Sequence, residues 1–507
     1  MNLRLMRNAV SNLMGAVVPA LVALGTVPLV VRGLGEAGYG MFSLVTGIVG
    51  YFAVIDINVT AGSVKFIAEH KARDDRDKIN QTLFFGIVVY ALIGAIGGLG
   101  LFFGADYFVT GVFTVPVAIV PEAIAALQLA APGFFLTQLQ TYLQSVPQAL
   151  MRFDVSGRIE VIFGTLVPLL TVAVLMLGYG LFEVILVRVV ASGIHCLILW
   201  AGIRRLLPGL AVRWAGSEVR RELLGFSAYA FLSRFAALSY AHADKLIIGA
   251  LVGVTGLAYF AVAATLANRV LGLTYRLAGV LFPAASALAA SGEFDRLNRL
   301  YLTASRYVVF LNAAMLVLVA VFAEHILRYW MNPDFARNGA LVLAVMAMSQ
   351  FIDSLTSLPS LVNDGMGHPR ISGLFAVARA CTGLVIVYLG VRVGGIDGAA
   401  FAHLAASLIF SVAFLGYVHG RTVRTSLREL LVCSYFPTFI GVALIALAAR
   451  LADNRLAETV ANFAWLLMAT MALLFAYGML FVIERGDRDA AWLRVKKALG
   501  HARGRPA

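Results

Sequence analysis

The chain is a succession of long apolar runs, the first of which extends from Val10 to Val31. A helix needs about 20 apolar residues to cross a bilayer. Lipid offers no hydrogen-bond partners, and among single segments only a helix satisfies all of its backbone N–H and C=O groups internally. Over 507 residues, 61% are hydrophobic and only 13% are charged, against roughly 25% charged residues in soluble domains. The mean hydropathy is +0.87. These features predict an all-α polytopic membrane protein.

The apolar runs accommodate about fourteen transmembrane helices. They are predicted at 10–31, 37–60, 82–104, 122–148, 159–178, 182–203, 223–250, 254–288, 304–323, 338–362, 370–391, 396–418, 431–450 and 460–483.

Basic residues are distributed very unequally between the loops on the two sides. With the N-terminus inside, 28 of the 40 basic residues fall in predicted cytoplasmic segments and six in outer loops. The positive-inside rule therefore places both termini in the cytoplasm. The formal net charge of +13 then follows from topology, and it does not require a nucleic-acid partner.

Short motifs from the first part of the chain recur 212 to 218 residues later, in the same order. The pairs are Gly35–Tyr39 with Gly253–Tyr259, Arg158-Ile159 with Arg370-Ile371, and Gly180 before Ala191-Ser192 with Gly395 before Ala406-Ser407. They predict two parallel pseudo-repeats of six helices, an arrangement in which transporters bind substrate between the repeats. The expected parts are an N-terminal half at 1–205, a C-terminal half at 206–430, two additional helices at 431–484 and a basic cytoplasmic tail at 485–507.

Six basic residues lie inside predicted transmembrane helices: Arg188, Arg234, Lys245, Arg269, Arg276 and Arg379. A cation at mid-bilayer costs roughly 2.5–3.5 kcal/mol on insertion scales, unless it faces water or a partner. The acids in comparable segments are Asp56, Asp244 and Asp353, so bases exceed acids. A cationic interior predicts an anionic cargo, and the six cations are candidate residues for binding it in a cavity.

Spacing strengthens some of these candidates. Arg269 and Arg276 are seven residues apart, so they share one helix face at about 10 Å separation. Gln140 and Gln144 belong to a polar stripe on the fourth helix that could line the same cavity or form interhelical hydrogen bonds. Lys245 could instead pair with its neighbour Asp244 or extend to the membrane surface.

The other charged residues in predicted transmembrane helices can also be interpreted in more than one way. Arg188 could line the cavity or reach the outer interface, and His403 occupies the corresponding position of the second repeat. Asp353 could pair with a neighbouring arginine or carry a coupling proton. Asp56 is expected to cap a helix or anchor a loop.

The sequence contains no motif that predicts catalysis or metal binding. The three cysteines, Cys196, Cys381 and Cys433, lie in or beside apolar runs and suggest neither disulfides nor a metal site. No Gly-Lys-Ser/Thr phosphate-binding loop is present. We therefore expect no cofactor, no metal and no catalytic residue.

Several motifs resemble those of a transporter family. They are the Gly35–Gly40 turn, Asp56-Ile57-Asn58, Gln148–Phe153, Asp244–Gly249 and Gly394–Ala400. Together they resemble the polysaccharide flippases, which belong to the superfamily of multidrug and toxin extrusion, oligosaccharidyl-lipid and polysaccharide exporters. One departure is Asn58, where that family often has glycine.

The resemblance implies a flippase of the bacterial inner membrane. Its cargo would be an undecaprenyl-pyrophosphate-linked oligosaccharide such as an O-antigen unit, and its partners would be membrane lipids and the glycan-assembly machinery. A cation-coupled multidrug antiporter of the same superfamily is an alternative, although it would need more buried acids. A glycan polymerase or glycosyltransferase is a further alternative, but the predicted outer loops carry no convincing acid–base pair.

The predicted topology can be tested by labelling. Single cysteines placed in the segment 65–78 and in the tail after Glu484 should react only with reagents that reach the cytoplasm, since both segments are rich in basic residues. Labelling of either segment by an impermeant reagent added to intact cells would overturn the fourteen-helix topology.

Overall fold

The computed structural model describes residues 3–52, 59–278, 288–289, 291–456, 459–486 and 488–489. Helices account for nearly all of this part of the chain, and no strand occurs in it. The α-helices are α1 Leu3–Phe52, α2 Val59–Ala72, α3 Arg76–Tyr107, α4 Val120–Ala149, α5 Phe153–Met176, α6 Leu181–Leu206, α7 Ser217–Leu251, α8 Val254–Ala278, α9 Phe294–Val321, α10 Ala323–Trp330, α11 Pro333–Ser354, α12 Ser357–Gly365, α13 Pro369–Arg421, α14 Leu427–Leu430, α15 Phe436–Leu456 and α16 Val460–Tyr477.

Ten helices in the described ranges are long and apolar enough to cross a membrane. The all-α polytopic membrane class predicted from the sequence is therefore confirmed. The count of fourteen, the pseudo-repeats and the orientation of the termini stay predictions.

Two of the longest helices contain a break at glycine. In α1 the break is at Gly35, with φ of 70°, and in α13 it is at Gly394 and Gly395, the latter with φ of 58°. Positive φ is open to glycine at little steric cost. Both breaks fall where the sequence predicts a turn between consecutive transmembrane helices.

The chain forms two compact units. Unit 1 comprises Met1–Thr265 and Gly373–Ala406, and unit 2 comprises Leu266–Ser372 and Ser407–Ala507. The predicted parts at 1–205, 206–430, 431–484 and 485–507 stay predictions.

The core of unit 1 is organised around two buried tyrosines on α3 and α4. The rings of Tyr90 and Tyr142 are stacked with centroids 5.1 Å apart, and both side chains are fully buried. The Tyr142 hydroxyl donates to the Thr82 carbonyl at 3.1 Å. Gly86 leaves the space that the Tyr142 ring fills, so a small residue allows the two helices to approach closely.

In unit 2, hydrogen bonds tie α11 and the residue that follows it to two distant segments of the chain. The hydroxyl of Tyr435, the residue immediately before α15, donates to the Leu355 carbonyl at 2.7 Å. Ser349 of α11 and Ser407 of α13 lie at 2.8 Å in a buried hydrogen bond. Each of these bonds joins segments that are distant in sequence, and burial in lipid-embedded helices leaves few competing partners.

At Gly40, α1 lies in close contact with the start of α8. A Cβ at Gly40 would overlap the backbone carbonyl of Val254, and a backbone group cannot rotate away as a side chain can. We expect Gly40→Ala to lower stability by about 2 kcal/mol, the usual scale of overpacking. The measurement is thermal unfolding of the purified protein in detergent.

Gly25→Ala provides the control, because Gly25 lies in the same helix and has no atom within 4 Å of the added Cβ. Equal unfolding temperatures for Gly40→Ala and Gly25→Ala would show that the two backbones do not meet at Gly40.

Candidate functional site

A buried polar cluster in unit 1 joins α7 to the second part of α13. Tyr240 and Asp244 are four residues apart on α7 and so lie on one face. His403 of α13 reaches both: its Nδ1 lies 3.2 Å from the Tyr240 hydroxyl, and its Nε2 lies 3.5 Å from Asp244 Oδ2. The side chains of His403 and Asp244 are only 8% and 9% exposed. At that distance Nε2 makes no hydrogen bond, so in the described part of the chain the Tyr240 hydroxyl is the imidazole's hydrogen-bond partner and the Asp244 carboxylate is its polar neighbour.

Arg379 extends the cluster from the first part of α13. Its guanidinium carbon lies 5.0 Å from the centroid of the Tyr240 ring, within the range of a cation–π interaction. The ring also lies close to Gly383, where an added Cβ would be 2.6 Å from it. One tyrosine therefore contacts an embedded cation with its face and the buried histidine with its hydroxyl.

Lys245 and Asp244 are neighbours in sequence, but the hydrogen bond between them uses the backbone N–H of Lys245 and not its ammonium group. Asp244 Oδ1 accepts the backbone N–H of Lys245 at 2.7 Å. The stem of Lys245 packs near Gly47 of α1, where an added Cβ would lie 3.4 Å from it. The half-buried lysine, which belongs to α7, thus borders α1.

Arg188 lies on α6, also in unit 1, and it is exposed. Its guanidinium carbon is 4.7 Å from the centroid of the Phe42 ring on α1. Arg188 makes no ion pair with a carboxylate in the described part of the chain. The aromatic face gives the cation a partner that does not cancel its charge.

Part of the glutamine stripe serves interhelical packing. Gln144 Nε2 donates to the Ser156 carbonyl on α5 at 3.1 Å, while Gln140 is half-buried. The hydroxyls of Thr137 and Thr141 donate to carbonyls of their own helix at 2.8 and 2.9 Å. These bonds favour the packing interpretation for Gln144.

Unit 2 contains two further candidates. Arg269 is exposed on α8, and it too makes no ion pair with any described residue. Asp353 is half-buried near the end of α11, where its carbonyl accepts the Thr356 hydroxyl at 2.8 Å.

Three further candidate residues have no described side chain. Arg234 lies on α7 and Arg276 on α8, at positions where the structure describes the backbone alone. Asp56 falls outside the described residues. Within the described ranges, no group of three or more His, Cys, Asp or Glu side chains could hold a metal ion.

Comparison with known proteins identifies the family. Residues 29–335 match the model of a family described as polysaccharide biosynthesis protein. The chain belongs to this family. The resemblance that the motifs predicted is therefore confirmed.

Two relatives extend the match beyond the family model. A Shigella flexneri protein named for O-antigen transport is 22% identical over 405 residues, covering 78% of this chain and 94% of its own length. The uncharacterized membrane protein EpsK of Bacillus subtilis is 21% identical over 339 residues, covering 66% of this chain and 67% of EpsK.

Solved structures share the fold of this family member. The lipid II flippase MurJ in an inward closed conformation superimposes with a TM-score of 0.70 at 12% identity, covering 92% of this chain and 97% of MurJ. An inward-facing multidrug resistance MATE transporter of the MOP superfamily gives 0.68 at 14% identity, covering 84% of this chain and 99% of the transporter.

Tyr240 was not among the site residues predicted from the sequence. His403 was noted only as the position that corresponds to Arg188 in the second repeat. Their roles depend on contacts between residues 163 positions apart. The one local signal is the four-residue spacing of Tyr240 and Asp244, which places both on the face that meets His403.

The polar cluster predicts energetic coupling between Asp244 and His403. We expect Asp244→Asn and His403→Gln each to destabilise the protein by about 1–3 kcal/mol, because each leaves a buried polar partner poorly satisfied. The double variant should cost less than the sum, because both substitutions disrupt one contact. Thermal and denaturant unfolding in detergent provide the measurement.

Asp106→Asn serves as the control, since Asp106 is exposed on α3 and should tolerate the change. Strict additivity of the two cluster substitutions would mean that the carboxylate and the imidazole do not interact.

Proposed function

We propose that this protein is a flippase that moves an anionic lipid-linked oligosaccharide across the bacterial inner membrane. The observation that carries the proposal is Arg188, held within an apolar helix by the Phe42 ring and not by a carboxylate. Its charge therefore remains available to an anion. The family membership and the relative named for O-antigen transport support the same cargo class.

The chemistry of the cargo matches the embedded cations. A pyrophosphate-linked head group carries negative charge that must leave water, while its polyprenyl tail can stay in lipid. Arginine binds phosphate oxygens through a planar fork of N–H donors, often in pairs. We propose that Arg188, Arg269 and Arg379 contact the diphosphate as it passes a cationic cavity by alternating access, with Arg234, Arg276 and Lys245 extending the path.

The polar side chains that remain would serve the sugars and the structure. Gln140 is proposed to hydrogen-bond sugar hydroxyls, and Gln144 to contribute chiefly to packing. Asp244 is proposed to hold α7 to α13 through His403, and Asp353 is the remaining candidate for a coupling acid. The proposed partners are the lipid-linked substrate, membrane lipids and the inner-membrane machinery that assembles the glycan.

Multidrug antiport is the second candidate, because MATE transporters share this fold. An antiporter for cationic drugs would expose acids to its substrate, whereas Asp244 is buried against His403. Dye export therefore distinguishes the two functions.

The sharpest test of the cargo is charge reversal at Arg269. This exposed cation has no carboxylate partner among the described residues, so its substitution disrupts no ion pair there. We expect Arg269→Glu to abolish export of the lipid-linked glycan, because it replaces attraction by repulsion. Arg269→Lys should retain partial export, since the charge survives without the planar fork. The measurement is surface glycan in cells lacking the native transporter, together with transport of lipid-linked oligosaccharide in vesicles.

Arg337→Glu is the matched control, because Arg337 is an exposed arginine of α11 that pairs with Asp334 in a predicted outer segment. Wild-type surface glycan from well-expressed Arg269→Glu would refute a cationic path at this residue. Export of cationic dyes by the wild type, with no transport of the glycan, would instead establish the antiporter.

A further inference from the structure

An open groove of about 780 Å³ lies in unit 2, lined by α9, α11, α15 and the start of α10. All of its lining residues are apolar except Glu324 and Arg450. Large apolar side chains at the groove are well exposed, including Leu341 at 49% and Leu447 at 58%. The helices α9, α11 and α15 belong to segments that are long and apolar enough to cross a membrane, so acyl chains are the apolar ligands at hand for this exposed lining.

The groove has a direction and a length. Phe439 lines it near the start of α15 and Arg450 near the end, and the helix rises roughly 16 Å between them at ~1.5 Å per residue. Half of a hydrocarbon core that is ~30 Å thick is about 15 Å. The apolar part of the groove therefore matches the depth of one membrane leaflet, with a cation at one end.

Arg450 is held in place by one side of its guanidinium group. Nη1 donates to the Val321 carbonyl at the end of α9 and to Asp453, each at 3.3 Å. Asp453 is itself buried, with 2% of its side chain exposed, and lies 3.1 Å from His325 Nδ1. These contacts fix the guanidinium group before any ligand arrives.

The other side of the guanidinium group remains open. The side chain of Arg450 is 53% exposed, and within the described ranges it donates only through Nη1. Nε and Nη2 form an edge of the fork that suits two phosphate oxygens. Two acids lie at this end of the groove: Glu324 pairs with Arg328 at 2.6 Å, and Asp453 pairs with Arg450 through Nη1 alone.

We propose that this groove is a binding site for a glycerophospholipid of the outer leaflet. One acyl chain occupies the apolar groove and the lipid phosphate binds the open edge of Arg450. The assignment to the outer leaflet follows the predicted topology, in which Arg450 lies in an outer loop. The site is independent of the transported cargo, and its occupant would hold α9, α11 and α15 together.

Native mass spectrometry of the full chain in detergent tests the site. The probe is phosphatidylglycerol, and the comparison is a diacylglycerol with the same acyl chains but no phosphate. We expect the wild type to retain one phosphatidylglycerol molecule at this site and to bind the diacylglycerol at least tenfold more weakly.

Substitutions at Arg450 should change this binding specifically. Arg450→Gln should weaken retention of phosphatidylglycerol about tenfold, and Arg450→Lys should retain part of it. Arg337→Gln is the control, because Arg337 is also an exposed arginine of an outer segment but does not line the groove.

Filling the groove should have the same effect without a change of charge. Ala443→Phe places a ring in the groove and should abolish retention. Leu444→Phe, at the next position of α15, is the control, because Leu444 is 63% exposed and lies outside the lining. If Ala443→Phe fails to fold by thermal unfolding, Ala344→Leu on α11 fills the same space.

Three results would overturn the proposal. They are equal retention of phosphatidylglycerol and the diacylglycerol, unchanged retention in Arg450→Gln, and displacement of phosphatidylglycerol by undecaprenyl phosphate at equal concentration. The last result would assign the groove to the tail of a polyprenyl lipid.

Discussion

Lipid supplies neither donors nor acceptors to a polypeptide, and this constraint governs every level of the structure. The backbone satisfies itself within helices, and hydroxyls such as those of Thr137 and Thr141 donate to their own helix. The chain leaves helical geometry inside α1 and α13 only at glycine, at Gly35 and at Gly394-Gly395. Helices in turn approach closely where a residue has no side chain, as Gly40 does beside Val254.

The same constraint explains how the protein can hold charge in its apolar segments. Asp244 is buried beside His403, and its Oδ1 accepts the backbone N–H of Lys245. Arg188 lies against the Phe42 ring and Arg379 against the Tyr240 ring, and an aromatic face stabilises a nearby cation. Contacts within the protein therefore make these embedded charges tolerable.

Much of this could be predicted from the sequence. Apolar runs of about 20 residues predicted the helices, and the motifs around Gly35 and Asp244 predicted the family. The six embedded cations were evident because a charge stands out in an apolar run. The partners were not evident: Asp244 lies beside Lys245 in sequence, yet its side chain lies against His403. Gln144 belongs to a stripe that fits a cavity, yet it bonds to Ser156.

The sequence by itself determined that Arg450 follows an apolar run, that Arg379 interrupts another, and that the chain belongs to this family. Only the tertiary structure decided that α9, α11 and α15 leave a groove ending at Arg450, and that Tyr240, His403 and Asp244 meet. The reason is physical. In water, apolar residues mark the face of a helix that packs inward, but lipid is as apolar as the protein interior. The pattern that identifies a transmembrane helix therefore does not identify its neighbours.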